Sequence, residues 1–295
     1  MTAGPAATSA PAAPPDPHLS KIRDLIYKAA GIFQPDNKLR LLEDRCGRRL
    51  QELKVKTLRD YFDRLNHPTA GREEMTKLLN EITIGETCFF RSQSQLDALK
   101  SVALPRILTA RSSSAVKKLR IWSAGCSTGE EPYSLAMFVL EESAGLLKGW
   151  TFEIQATDLN ERSLEHARAG IYGDYSVRNV SAQIRQKYFV AAGDKLQVGP
   201  AARKLVSFSR LNLLDEMRMP LMKDMDVIFC ANVLIYFDLN SKRKVIEHFY
   251  SNLQPHGYFF LGHSESLYGV NDQFKLVHFP SATGYVKSQP PAAGR

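Results

Sequence analysis

The sequence predicts an α/β fold, a doubly wound parallel sheet preceded by an all-α N-terminal domain, and three observations carry that prediction. Residues 20 to about 100 show apolar side chains at three- and four-residue spacing and no strand of any strength. From about residue 117, short apolar runs alternate with amphipathic stretches across short turns, the pattern of a parallel sheet with helices packed on it. Between roughly residues 172 and 206 the period breaks, over a length too great for a plain loop and better read as a small antiparallel β-subdomain inserted in the α/β part.

Taken in order, the first nineteen residues, MTAGPAATSAPAAPPDPHL, are Ala/Pro-rich with neither a basic start nor an apolar core. They read as a disordered tail or a stiff tether and not as a secretory signal. Ser20 is expected to cap a helix whose inner face is Ile22, Leu25, Ile26 and Ala29, with Gly31 ending it. A second helix runs through NKLRLLEDRCGRRLQEL, burying Leu39, Leu42, Cys46, Leu50 and Leu53. A third, capped by Thr57, buries Leu58, Tyr61, Phe62 and Leu65; a fourth uses Met75, Leu78, Leu79 and Ile82. Their solvated faces are basic: Lys38, Arg40, Arg45, Arg48, Arg49, Lys54, Lys56, Arg59 and Arg64.

Beyond residue 117, KKLRIWSAG reads as strand, EEPYSLAMFVLEES as helix, TFEIQATDLN as strand and RSLEHARAG as helix closed by Gly170. Inside the insertion QIRQKYFV is a short helix, and DKLQVGPAARKLVSF reads as antiparallel strands around a Gly-Pro turn. DMDVIFCANVLIYF is a strand and loop, SKRKVIEHFYSNLQPHG a helix and YFFLGH a strand; FKLVHFP and TGYVKS form an antiparallel pair.

Composition narrows the function. A chain of 295 residues with 44% hydrophobic content can fill a core, and no apolar run approaches the roughly 18–20 residues of a membrane span. The net charge of +8 and pI near 9.3 imply an acidic partner: nucleic acid, an anionic membrane surface or an acidic protein surface. Cys46, Cys88, Cys126 and Cys230 are widely spaced with no Cys-x-x-Cys pair, which argues against a disulfide framework and against a metal site, and for buried thiols in a reducing cytoplasm.

The stretch IWSAGCSTGEEPYS, residues 121–134, joins an apolar strand to a helix through a Gly/Ser/Thr turn and then places Glu130 and Glu131 in the first helical turn. Such a turn ordinarily favours phosphate, through free N–H groups and the helix dipole. Two carboxylates there would repel a pyrophosphate; they suit either simple capping or a ligand carrying hydroxyls and positive charge. Asp158, at the end of the next strand, occupies the place of a ribose-binding acid, or else caps the following helix. Together these describe an adenosine-bearing ligand without phosphates. S-adenosylmethionine fits better than NAD, whose G-x-G-x-x-G fingerprint is missing.

A series of motifs in fixed order extends this reading: TIGETCFFR (83–91), WSAGCSTGEEPYSLAM (122–137), ATDLN (156–160), FSRLNLLDE (208–216), DVIFCANVLIYFD (226–238) and LQPHGYFFLGHSES (253–266). In these motifs the chain resembles the CheR family of chemoreceptor methyltransferases, from about residue 20 to residue 287. The resemblance implies a helical domain followed by a Rossmann-like S-adenosylmethionine methyltransferase domain carrying a small antiparallel β-subdomain. It also implies methyl transfer to glutamate side chains on the cytoplasmic helices of chemoreceptors, leaving S-adenosylhomocysteine. The domain limits it suggests are 1–19 tail, 20–82 helical domain for substrate docking, 83–116 linker and interdomain helix, and 117–290 methyltransferase domain.

Carried over by position, Thr87 and Arg91 contact the cofactor, Glu131 and Asp158 are its acidic contacts, Asn212 and Leu213 flank the adenine, and Asn232 ends the next strand. Tyr236 lies near the transferred methyl; Arg91 and Tyr236 are the residues expected to act in the reaction. Gly85 and Ala231 also belong to the cofactor-binding set, but each departs from the family pattern, which has asparagine and arginine there. The expected partners are receptor helices on the basic face of Arg45, Arg48, Arg49 and Lys56, and a receptor tail peptide at the β-subdomain, with neither nucleic acid nor membrane insertion and a monomeric state. Two other readings stay open at this level: a module that senses S-adenosylmethionine without turnover, and a nucleic-acid methyltransferase.

Overall fold

Asp16 opens the first helix. Its carboxylate accepts the backbone N–H of His18 at 2.7 Å, and Pro17 takes the first helical position, where a missing N–H costs nothing. The computed structural model describes residues 16–83 and 85–288, so the expected tail lies outside the described residues up to residue 15. Its last residues do not follow the expectation: α1 runs Pro17–Ala30, and Leu19 is completely buried. Ser20, expected as the cap, sits inside α1, because the Asp-Pro pair before it starts the helix earlier.

The chain divides into two compact units, 16–29 with 34–78 and 30–33 with 79–288. The first is built from α1, α2 (Leu39–Leu53), α3 (Leu58–Leu65) and most of α4 (Ala70–Ile82). Thr57 caps α3 as expected, its hydroxyl accepting the Asp60 N–H at 3.1 Å. Leu19, Ile22, Ile26, Leu42, Cys46, Tyr61 and Leu78 are buried, while Leu58, Phe62 and Met75 are only partly so. Arg49, assigned from the sequence to the solvated basic face, is instead buried. Its guanidinium binds Glu74 through two bonds of 2.9 Å, and the Tyr61 hydroxyl donates to the same carboxylate at 2.8 Å. The reason is periodic: Arg49 lies three residues after Cys46 and seven after Leu42, on the apolar stripe.

The second unit holds a seven-stranded sheet. Its strands are β1 (Lys118–Ala124), β2 (Thr151–Asp158), β6 (Val206–Arg210), β7 (Met225–Cys230), β8 (Leu253–Leu261), β9 (Phe274–His278) and β10 (Thr283–Lys287), in the order β6-β2-β1-β7-β8-β10-β9. From β6 to β8 all neighbours are parallel, and β10 and β9 close the edge antiparallel. All six residues of β7 are buried, the run expected of a strand covered on both faces. Chain direction across the sheet reverses between β1 and β7, and in such sheets the crevice beyond the strand ends at that reversal is where ligands bind.

The insertion forms a second sheet of β3 (Ile171–Tyr172), β4 (Phe189–Ala192) and β5 (Lys195–Val198), in the order β3-β5-β4. Its hairpin turns at Gly193, which has φ +65°, and not at the Gly-Pro pair. Gly199 and Pro200 instead open a single helical turn, Pro200–Arg203. Val206–Arg210, read from the sequence as part of the subdomain, pairs parallel with β2 in the main sheet. Near the C-terminal end, the helix expected through residue 257 stops at Asn252, and β8 begins at Leu253. A register irregularity between β7 and β8 accommodates Pro255, and a side chain at Gly257 would lie 2.9 Å from the Asp226 carbonyl oxygen. Among the described residues no helix is long and apolar enough to cross a membrane.

Candidate functional site

The turn after β1 is drawn back onto the sheet: the N–H groups of Gly125 and Cys126 both reach the Thr157 carbonyl of β2, at 2.8 and 2.9 Å. Gly125 and Gly129 have φ of +79° and +94°, and Ser127 between them is also left-handed at +49°. The reversed backbone aims the Ser127 N–H at Asp158, 2.8 Å from Oδ2; the other carboxylate oxygen accepts the Asn160 N–H at 2.8 Å. Asp158 thus organises both strand ends, and its caps leave lone pairs for a further donor.

Of the two glutamates, Glu131 lines the crevice and receives the Ser123 hydroxyl at 2.6 Å. Glu130 turns away, fully buried, accepting from Thr128 Oγ1 at 2.6 Å and Ser176 Oγ at 3.0 Å. It is therefore more than a helix cap, because it fastens the first helical turn to the base of the inserted subdomain.

The 85–91 stretch is pinned beside this turn. Phe89 N–H donates to the Ser176 carbonyl at 2.9 Å and Phe90 N–H to Ser134 Oγ at 2.9 Å. Beyond β6, Leu211 N–H returns to the Asp158 carbonyl at 3.0 Å, which sets Asn212 and Leu213 next to β2. Beyond β7, Asn232 is left-handed at φ +61° and donates its N–H to Glu265 Oε2 at 2.7 Å, an oxygen that also accepts Gly262 N–H at 2.9 Å. Tyr236 follows in a short turn, and residues 32–33 pair with it antiparallel: Phe33 N–H donates to the Tyr236 carbonyl at 2.8 Å, beside an Ile32–Phe237 bridge.

These segments enclose a cavity of about 370 Å³, the size of an ordinary small-molecule site. All ten residues singled out from the sequence line it: Gly85, Thr87, Arg91, Glu131, Asp158, Asn212, Leu213, Ala231, Asn232 and Tyr236. Arg91, Glu86 and Ile235 are exposed lining residues and mark its rim. Gly85 also has a local reason. A Cβ at this position would lie 2.3 Å from Ser127 Oγ, so the space that a side chain at 85 would need is taken by the serine.

Sequence reasoning missed several lining or supporting residues. Ser123 was read only as part of a strand and Ser127 only as a small turn residue, and Ile32 belongs to a connection far away in the chain. Glu265 was passed over in LGHSES beside His263; the structure leaves His263 exposed and puts Glu265 under the Asn232 turn. A carboxylate three residues after the glycine that follows a strand, facing another strand end, was the available signal.

Loss of water pushes the Glu131 carboxyl up to about 7, against the opposing pull of the Ser123 hydroxyl and Arg91. Burial also raises Asp158, although three backbone N–H groups oppose it, and raises the Tyr236 phenol, with Asp158 adding to the effect. A cation entering the cavity would relieve both carboxylates.

Comparison with known proteins agrees with this geometry. The family profile described as the CheR methyltransferase all-alpha domain matches residues 17–83, and that of the CheR methyltransferase SAM binding domain matches residues 85–283. Chemotaxis protein methyltransferase 2 of Vibrio cholerae is 37% identical over 92% of this chain and 93% of its own length. The chemotaxis protein methyltransferase of Borreliella burgdorferi is 35% identical, covering 85% of this chain and 88% of itself. Chemotaxis protein methyltransferase 1 of Pseudomonas aeruginosa is 36% identical, covering 86% and 92%. Relatives matched over nearly their whole length, and two domain profiles matched in sequence, lead to one conclusion: this chain belongs to the CheR methyltransferase family and is an S-adenosylmethionine-dependent methyltransferase.

Proposed function

We propose that the chain methylates glutamate side-chain carboxylates of chemoreceptors, forming glutamate methyl esters in chemotaxis adaptation, and that it works in the cytoplasm as a monomer. The observation that carries this reading is the composition of one cavity: an exposed guanidinium, Arg91, and the Tyr236 phenol share it with two carboxylates, Glu131 and Asp158.

The residues present fit S-adenosylmethionine. The Ser127 hydroxyl oxygen is buried in the cavity wall without a hydrogen-bond partner, a polar vacancy that a hydroxyl- or amino-bearing ligand would fill. Asp158 suits ribose hydroxyls, Asn212 and Leu213 an adenine ring, and Glu131 a cationic group. Thr87, Asn232 and the backbone at Gly85 and Ala231 complete the wall. Bound there, the cofactor supplies an electrophilic methyl on a positively charged sulfur.

A glutamate nucleophile titrates near 4.3 and arrives ionised at neutral pH, so the chain has no proton to remove. Its work is to hold the acceptor in line and keep water from its carboxylate. Arg91 orients the incoming carboxylate at the rim, and Tyr236 positions the reacting groups. Receptor helices dock on the exposed basic residues of the helical domain, among them Arg40, Arg48, Lys56 and Arg59. The open edge of β4 accepts a receptor tail peptide by strand addition.

Glu131 makes cofactor binding pH-dependent. Its ionised form binds the cation, so affinity is full above about pH 7 and falls as pH drops through that value, by at most about tenfold per pH unit. Calorimetric titration with S-adenosylmethionine between about pH 7 and 5.5 should show this slope in the wild type and its loss in Glu131→Gln. A wild-type profile that stays flat would remove Glu131 from the cation contact.

The function itself is tested by incubating the protein with labelled S-adenosylmethionine and receptors of the same organism. Base-labile methyl on receptor glutamates is the expected product. Tight cofactor binding with no label on any glutamate-bearing helix would turn the reading to a sensing module.

A further inference from the structure

The helical turn Asp174–Val177, at the base of the inserted subdomain, is stitched by three bonds to the 86–89 stretch and to the helical turn at Glu130, both beside the cavity. Ser176 carbonyl accepts Phe89 N–H at 2.9 Å, Ser176 Oγ donates to Glu130 at 3.0 Å, and the Tyr175 hydroxyl donates to Glu86 Oε1 at 2.5 Å. Glu86 lines the cavity, and its carbonyl accepts the Arg91 guanidinium at 2.5 Å. Tyr175 is nevertheless 61% exposed, an unusual position for an aromatic ring with no core to fill. Its face is covered by Arg178, whose guanidinium carbon sits 3.8 Å from the ring centroid, held by one N–H donated to the Tyr175 carbonyl at 2.5 Å. Among the described residues Arg178 has no carboxylate partner, so four of its five N–H donors remain for a ligand. Burial raises the pKa of the Cys88 thiol in the cavity wall, and the charges of Arg178 and Arg91 both oppose that rise.

A guanidinium stacked on an aromatic ring has lost part of its hydration and much of its rotational freedom. Its edge is then preorganised for a planar, bidentate carboxylate. Nothing in the fold requires this at an exposed site; Glu86 and the Ser176 bonds already anchor the segment. We propose that Tyr175 and Arg178 form a substrate-recognition platform that binds an acidic side chain flanking the methyl-accepting glutamate on an acidic helix. The proposal rests on the reading of the substrate as a glutamate-bearing helix. It places a second cation beside Arg91, so that an accepting helix must present a further carboxylate to be held in register.

The test is binding of a glutamate-bearing coiled-coil fragment of a receptor from the same organism to the full chain saturated with S-adenosylhomocysteine. Fluorescence anisotropy at low salt reads the fragment, and calorimetry reads S-adenosylhomocysteine separately. Arg178→Ala is expected to weaken fragment binding about tenfold, and Tyr175→Ala by several-fold, with S-adenosylhomocysteine affinity unchanged. Arg178→Lys should recover little, because an ammonium neither stacks nor forks. The proposal is overturned if both alanine variants bind the fragment like wild type, if they lose S-adenosylhomocysteine in equal measure, or if the wild type does not bind the fragment. It is overturned too if Arg178→Ala spares the fragment and weakens binding to a DNA duplex. Methyl transfer measured alongside separates the two readings. Binding that depends on Arg178 without transfer would sink the glutamate reading alone; transfer that is indifferent to Arg178 would sink this one alone.

Discussion

Arg91→Ala is expected to lower kcat for receptor methylation by about 10²–10³-fold while S-adenosylmethionine affinity stays within about threefold. The side chain lies on the exposed rim of the cavity and is steadied by the Glu86 carbonyl at 2.5 Å, which takes one Nη1 hydrogen and leaves the rest of the fork facing solvent or substrate. Burial raises the pKa of both Glu131 and Tyr236, and the Arg91 charge opposes that rise in each. An incoming carboxylate that has lost its water depends on such a donor, whereas an uncharged adenosine or a cationic sulfonium does not. Arg91→Lys keeps the charge and loses the planar fork; a partial recovery of kcat is expected, with KM for the receptor raised. Single-turnover measurements with saturating cofactor check both variants. An alanine variant with unaltered kcat would remove Arg91 from the reaction and leave it as a rim residue.

The second large effect concerns stability. Glu74→Ala should destabilise the helical unit by about 3–5 kcal/mol, since it leaves the buried Arg49 guanidinium with only the half-exposed Glu52 as a carboxylate partner. The pair is bidentate at 2.9 Å on each bond, with side chains 2% and 3% exposed, and Tyr61 adds a third bond at 2.8 Å. Replacing both partners with hydrophobes, Arg49→Met with Glu74→Leu, should restore most of the loss, because the desolvation cost then disappears with the charges. Urea denaturation followed by circular dichroism gives both values. A Glu74→Ala change of less than about 1 kcal/mol would show that the buried guanidinium finds another partner.

How much of this was legible in the sequence depends on whether the controlling interactions are local. The turn around Gly125 and Gly129, the cap at Thr57 and the parallel strands were readable, because short-range periodicity and turn chemistry determine them. The motif series also led to the residues of the cavity. What escaped notice rests on long-range pairing. No pattern near Arg49 announces Glu74, 25 residues on, as its partner. Val206–Arg210 looks the same whether it closes a small hairpin or joins β2, and only the register with Ile154–Asp158 decides. Glu265 gained its place from Asn232, a residue 33 positions away, while His263 beside it faces water. Gly85 read as the loss of a contact until Ser127 was found in the space.

The short pairing of residues 32–33 with the Tyr236 turn has a practical consequence for dividing this protein. The catalytic unit is discontinuous in the chain: 30–33 belong to it, while the residues on either side, up to 29 and from 34 to 78, belong to the helical unit. A cut near residue 83, where the two family profiles meet, would excise Ile32 from the cavity wall and leave the Tyr236 carbonyl without the Phe33 N–H. Grafting the helical unit of one relative onto the catalytic unit of another therefore transplants part of the cofactor cavity with it. Such chimaeras would exchange residues 30–33, of which Ala30 and Ile32 line the cavity, along with their docking surface, unless those four are kept from the recipient.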